Sequence, residues 1–285
     1  MRVMITGAGG QLGRALVASA PVDLSVAALT REELDIGDES AVEAAVSART
    51  PDLIINAAAY TAVDRAEGEA DLAFRINRDG AANLAGSAAR LGARMVHIST
   101  DFVFDGAAGR PYRPDEATGP IGVYGASKLA GERTVVAAAP DALILRTAWV
   151  YGPVGANFLA TMLRLMASRP ELGVVADQVG TPTSTLTLAE AIWALARREA
   201  KGIWHFTDAG AASWYDFAVA IAEEAVAAGL LNQASAVKPI TTAEYPTPAK
   251  RPAYSVLDKT ETYRLLGSAP HWRVALRAVL ARMCS

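Results

Sequence analysis

The chain has 285 residues and sets 27 basic against 30 acidic side chains, a formal charge of −3, which gives no excess of positive charge to hold DNA, RNA or an anionic membrane surface. Apolar residues make up 52% and exclude a disordered chain, although 60 of the residues are alanine, so much of that figure is small helix-forming side chain. One cysteine, Cys284, excludes an internal disulfide and a thiolate metal cluster and suits a reducing, cytoplasmic setting; no apolar run reaches the roughly 18 residues of a membrane span or the roughly 7–15 of a signal-peptide core.

Short apolar runs alternate with longer alanine-rich stretches through the first half. Val3-Met4-Ile5 reads as a buried strand, then glycines, then Leu12, Leu16 and Val17 at helical spacing. Leu24-Ser25-Val26 is the second strand and Asp52-Leu53-Ile54-Ile55-Asn56 the third. A helix of about twenty residues then ends at Leu91-Gly92, where glycine suits a C-terminus. Met95-Val96-His97-Ile98-Ser99 is the fourth strand, and a helix from near Tyr124 to before Pro140 leads to the fifth, Leu143-Ile144-Leu145-Arg146. Strand and helix in alternation predict an α/β fold with a parallel sheet covered on both faces. After about residue 150 the rhythm breaks, with helices expected near 156–168, 187–198 and 213–228 between Gly- and Pro-rich loops. We therefore expect a first domain over 1–150 and a smaller mixed α/β lobe over 151–285, with later segments free to return to the first.

Gly7, Gly10 and Gly13 lie on the turn from the first strand into the first helix. There they allow a sharp bend, bring backbone N–H groups and a helix N-terminus to a pyrophosphate, and let helix pack on strand. An acidic residue at the end of the second strand would select NAD, but that strand runs out at Leu29-Thr30-Arg31, and a guanidinium beside a hydroxyl suits the 2′-phosphate of NADPH, with NADH as the other possibility. Asp35 could either meet the adenine or cap the helix that starts near Asp38.

Tyr124-Gly125-Ala126-Ser127-Lys128 puts a phenol and an ammonium one helical turn apart. Reduction of a carbonyl needs a proton at oxygen, and a phenol gives one readily only if a neighbouring cation stabilises the phenolate. Ser99-Thr100-Asp101 ends the fourth strand, at the carboxyl edge where open parallel sheets bind ligands, so Thr100 would hydrogen-bond the same carbonyl oxygen.

With these residues the chain resembles the extended short-chain dehydrogenase/reductase family, and within it the dTDP-4-dehydrorhamnose reductase branch. The resemblance covers almost the whole chain. It is carried by the glycine loop, 56–64, 99–106, Tyr124 to Glu132, 146–152, 177–183 and 251–257, in that order. It implies a Rossmann-type doubly wound sheet, with Tyr124 as proton donor, Lys128 as its electrostatic partner and ribose ligand, and Thr100 as the hydroxyl tuning both. It also implies that Gly10, Gln11 and Leu12 meet the pyrophosphate, Asp35 and Ile36 the adenine side, and Ala59, Tyr60 and Thr61 the nicotinamide half. Asp101 and Trp149 would line the sugar pocket, and the substrate would be dTDP-4-dehydro-L-rhamnose, reduced at its C4 keto group, with a different 4-keto-deoxysugar nucleotide as the alternative. Related 4,6-dehydratases carry a glutamate after the Ser/Thr-Asp pair as base for elimination; Phe102 stands there, which leaves simple reduction.

Other residues read more plainly. Asn157 would cap a helix or meet a diphosphate, and Arg251 would reach a phosphate or remain a loop arginine. His97 and His205 are expected in strands, and Trp193 and Trp214 as packing residues; no His, Cys and carboxylate spacing offers a metal site. Of two classes of function, a reductase acting as monomer or homodimer and a non-catalytic subunit attending a methionine adenosyltransferase-like partner, the intact Thr100, Tyr124 and Lys128 favour the reductase.

Overall fold

The computed structural model describes residues 1–284. Parallel strands β1 (Arg2–Thr6), β2 (Ser25–Leu29), β3 (Leu53–Asn56), β4 (Arg94–Thr100) and β5 (Leu143–Thr147) form the sheet expected from the first half, the second running a few residues later than its apolar start suggests. The strand expected around His205 is β6 (Gly202–His205), a later segment that returns to the first sheet and pairs parallel with β5, giving the spatial order β6-β5-β4-β3-β1-β2. The order reverses beside β1, the switch point at which open sheets of this type leave a crevice.

Side chains alternate across the sheet. Val3, Ile5, Leu53, Ile55 and Leu145 face α1 (Gln11–Ala18) and a helix of the second half, with Leu188, Ile192 and Trp193 completing that layer. Met4, Ile54, Met95 and Ile144 face the opposite layer of α2 (Glu39–Arg49) and α3 (Gly80–Leu91). Strands buried on both faces must be apolar throughout, which is why these read as runs and not as alternation.

Asp38, and not Asp35, caps α2, accepting from the Ala41 amide. The helix expected to end at Leu91-Gly92 does so, with Gly92 left-handed at φ 71°, but it arrives through Ala70–Phe74 and a π-helical turn, Arg75–Asp79. At the centre of that turn Asn77 is buried. α4 (Val123–Ala138) carries the Tyr–Lys pair. In the second half α5 (Phe158–Met166), α6 (Thr185–Arg197), α7 (Trp214–Ala227) and α8 (Trp272–Cys284) are the longer helices, with a shorter one at Thr260–Leu266. α6 belongs to the sheet's own layer, while α5, α7, α8 and Glu171–Val175 enclose a separate apolar cluster around Phe217 and Ile221. Among the described residues no helix is long and apolar enough to cross a membrane.

Ile54 is fully buried at the centre of the sheet. Ile54→Ala removes its methyl groups from a close-packed layer and is expected to cost about 2–5 kcal/mol, read as a lowered urea midpoint at unchanged slope.

Candidate active site

The cradle begins where β1 ends. Gly7 is left-handed at φ 73°, and a Cβ there would lie 2.6 Å from the Ala58 backbone; at Gly13 a Cβ would lie 2.2 Å from the Gly7 carbonyl oxygen. These two glycines serve close packing. Gly9 and Gly10 are exposed, and Gly10 stands at the N-cap of α1 with no side chain on the free amides behind it. An uncapped helix start beside a solvent-facing glycine pair is a fitting seat for a pyrophosphate. Leu12 is buried, so only its amide is placed for such a ligand. The Gln11 side chain points to the second half, donating to the Ala156 carbonyl at 3.2 Å and accepting from Asn157 at 2.8 Å.

At the end of β2, Arg31 is exposed and makes no hydrogen bond among the described residues, while the neighbouring acids are engaged: Glu33 accepts from the Thr30 amide and Asp35 from Arg75 at 2.9 Å and from the Gly37 amide. Burial works to raise the Asp35 carboxyl, but Arg75 and the Gly37 amide hold it below the ordinary value. Ile36 is buried in the core beside Gly80.

Ala59, Tyr60 and Thr61 follow β3 as an irregular segment held by Asn77, which accepts from the Tyr60 amide at 2.8 Å and donates to its carbonyl at 3.1 Å. The same Asn77 donates to the Ser127 hydroxyl, tying this segment to α4. Asn77 is absent from the sequence reading; a π-helical turn, which leaves no mark in apolar periodicity, is what aims it inward.

Thr100, Asp101, Tyr124 and Lys128 meet at the carboxyl end of β4. Tyr124 and Lys128 share one face of the first two turns of α4, and the Tyr124 ring packs edge-on against Phe102 at 5.5 Å. The Lys128 ammonium donates to the Ile98 carbonyl at 2.7 Å. Thr100 donates to Asp101 at 3.0 Å and accepts from the Phe102 amide. Burial pushes the Tyr124 phenol up to about 12, opposed by Thr100 and aided by the Asp101 charge. Burial brings the Lys128 ammonium down to about 8, with Glu132 opposing. Asp101, whose Oδ2 has no partner among the described residues, is raised by burial to about 6, against hydrogen bonds from Ser255 and Thr100.

His97 is buried in β4, accepting from Asn56 at 3.1 Å when that amide donates, and its imidazole is held well below the ordinary value by burial and by Lys128. His205 is likewise buried in β6, and neither is placed to act as a base.

A cavity of about 530 Å³ opens in the second half between α5, α7 and Glu171–Val175, lined by Phe158, Met162, Arg169, Val174, Trp214 and Arg251. Trp193 is core, as expected, but Trp214 is not merely packing: its indole stacks on Trp149 at 3.5 Å, nearly parallel, and forms the cavity wall. Trp149 holds φ 47°, and a Cβ on Gly180 would lie 2.5 Å from its ring. Arg251 is paired with Asp64 through two bonds of 3.0 and 2.7 Å, so it is a fixed wall of the cavity. Asn157 caps α5, accepting from the Ala160 amide.

An uncapped phosphate cradle at the switch point, with a hydroxyl, a phenol and an ammonium converging beside it, is the arrangement of an extended short-chain dehydrogenase/reductase. The model of the family described as "RmlD substrate binding domain" matches residues 1–285, and the chain belongs to that family. It is 45% identical over 290 residues to a dTDP-4-dehydrorhamnose reductase of Aggregatibacter actinomycetemcomitans, with 98% of each chain covered. Among solved structures it is similar to a dTDP-4-dehydrorhamnose reductase from Clostridium acetobutylicum (TM-score 0.94, 41% identity, 100% of both chains). It is also similar to one from Bacillus anthracis in complex with NADP (TM-score 0.92, 39% identity, 99% of both chains).

The raised Asp101 carboxyl fixes the sign of a pH effect. The fold favours its neutral form, so its contribution is present below the ordinary value of 3.8 and is lost as pH rises through about 6. Asp101→Asn is expected to gain in Tm relative to the parent between about pH 4 and 6 and to hold a constant offset above that, as thermal unfolding across pH will show.

Proposed function

We propose that this chain reduces the C4 keto group of dTDP-4-dehydro-L-rhamnose to dTDP-L-rhamnose with NADPH, supplying activated rhamnose for cell-surface polysaccharide. The observation that carries the reading is the convergence of Thr100, Tyr124 and Lys128 beside an uncapped cradle in a chain 45% identical, over nearly its whole length, to a protein of that name. The NADP held by the Bacillus anthracis neighbour and the unengaged Arg31 support NADPH as the reductant.

The cradle amides at Gly10, Gln11 and Leu12 hold the pyrophosphate, Arg31 the 2′-phosphate, and Lys128 the nicotinamide ribose. When bound, the nicotinamide supplies the hydride. Tyr124, still a phenol at neutral pH, donates its proton to the keto oxygen, and Lys128, still an ammonium, stabilises the phenolate left behind. The Thr100 hydroxyl turns from Asp101 to the same oxygen and orients the carbonyl. Phe102 fills the position where elimination would need a carboxylate, so the sugar gains hydrogen and loses no water. The cavity walled by Phe158, Trp214 and Arg251 takes the nucleotide half, and Trp149 spans the interval to the sugar. Thr100, Tyr124, Lys128 and the cradle all belong to one protomer, which fits a reductase working as a monomer or a homodimer; the single cysteine, Cys284, suits a reducing, cytoplasmic setting.

NADPH oxidation monitored across 4-keto nucleotide sugars is expected to be fastest with dTDP-4-dehydro-L-rhamnose. Tyr124→Phe is expected to lower kcat by about 10²–10⁴ with NADPH affinity kept; near-full turnover would reject the assignment. Arg31→Ala is expected to raise KM for NADPH and leave that for NADH unchanged, and an unaltered ratio would exclude Arg31 as the 2′-phosphate ligand.

A further inference from the structure

One helical turn beyond Lys128, on the same face of α4, lies an ionic group that hydride transfer does not use. Glu132 and Arg146 are each 2% exposed. Arg146 donates through Nε and Nη2 to the two carboxylate oxygens at 2.8 and 2.7 Å, and Ser99 donates to Glu132 Oε1 at 2.5 Å. The third guanidinium nitrogen, Nη1, donates to the Pro114 carbonyl at 3.2 Å, and the group lies over the Phe104 ring at 5.1 Å. Every polar atom of the pair is thus engaged. A buried pair of this kind contributes little net stability over well-packed apolar residues, so folding energy is a poor reason for its presence.

Its place in the molecule offers a better one. α4 is fastened to the end of β4 by two side-chain bonds only a turn apart, Lys128 to the Ile98 carbonyl and Ser99 to Glu132, and the next residue of β4 is Thr100. Arg146, on the neighbouring strand, holds the Glu132 carboxylate at that point. We propose that Glu132, fixed by Arg146 and Ser99, is a positioning residue whose charge keeps Lys128 an ammonium beneath Tyr124; this rests on the reductase reading above.

The groups facing Lys128 bear this out by sign. Its own helix presents Tyr124 and Glu132, and β4 presents His97, a neutral imidazole. The turn after β4 presents Asp101, whose charge acts on Tyr124. β5 presents Arg146, whose charge is covered by both Glu132 oxygens. The π-helical turn packed on α4 brings Arg78 and Asp79, which bind each other at 2.6 Å. Without the Glu132 charge, Lys128 would face burial and a bare guanidinium together, and both favour the neutral amine.

The test reads Lys128 directly, without turnover. Reductive methylation of the ligand-free full-length protein across pH 5–10, followed by peptide mass spectrometry at Lys128, gives the midpoint of its titration. Glu132→Gln keeps the shape and the Ser99 bond, and is expected to lower that midpoint by about one pH unit, a tenfold change in the ammonium-to-amine ratio. Glu132→Asp, which keeps the charge, is expected to leave the midpoint near that of the parent while lowering kcat. An unchanged midpoint in Glu132→Gln overturns the proposal. Should that variant not fold, Glu132→Gln combined with Arg146→Met buries no lone charge and is expected to lower the midpoint by less, because the carboxylate on Lys128's own helix goes together with the guanidinium behind it; an unchanged midpoint there overturns the proposal as well. A shifted midpoint in a protein that reduces no keto-sugar nucleotide upholds the coupling and rejects the reductase reading. In an active enzyme the alkaline limb of kcat/KM moves down with the midpoint.

Discussion

The register of the parallel strands is the constraint on which the rest of this molecule depends. Thr6 pairs with both Leu29 and Asn56, Asn56 with His97, and Thr100 with Thr147, so β1 to β5 all release their chains along one edge. A parallel sheet needs a crossover after every strand, and every crossover therefore starts at that edge. The glycine cradle, the Tyr60 segment, the Thr100-Asp101 turn and Trp149 are the first few residues after β1, β3, β4 and β5. Their convergence needs no long-range design beyond the pairing of the strands.

Hydrogen bonds from a buried amide and from carboxylates nearer the surface then hold these segments still. Asn77 joins the Tyr60 segment to α4, Glu67 accepts from the Val123 amide at the start of α4, and Asp64 clasps Arg251 from the substrate side. The phenol that must give up a proton thus sits on a helix pinned at its first turn by one neighbour and along its inner face by two others. Rigid placement of this kind is where much of a catalytic rate comes from, because the reacting groups pay no ordering cost when substrate arrives.

How much of this was legible in the sequence follows from the range of each signal. The first five strands, the glycine turn, the Tyr–Lys spacing and Gly92 are local patterns, and local patterns can be read one residue at a time. Asp35 stays open in the sequence between an adenine contact and a helix cap because two acids three residues apart give the same capping signal, and the fold assigns the cap to Asp38 and ties Asp35 to Arg75. Trp214 read as packing because its partner, Trp149, is 65 positions away in the chain. A strand is expected at His205, but its place in the sheet is not legible, because its pairing partner is β5, nearly sixty residues earlier, and the intervening loops carry no strand–helix rhythm. Asn77 and the Glu132–Arg146 pair are polar residues on apolar-looking elements, whose meaning appears only when three elements are brought together.

The position of α6 and β6 has a consequence for how the chain is made. Leu188, Ile192 and Trp193 share with α1 the covering of one face of the sheet, and β6 closes the edge of β5. While the ribosome has delivered only the first 150 residues, α1 alone covers that face and that edge stands open, so part of the layer of Leu53, Ile55 and Leu145 lacks its cover. The nascent first half is therefore an adhesive intermediate and not a finished unit, vulnerable to misassembly until some fifty further residues emerge. Slow passage through the segment between Tyr151 and Arg197 would prolong that exposure, so synthesis rate there bears on the yield of native protein.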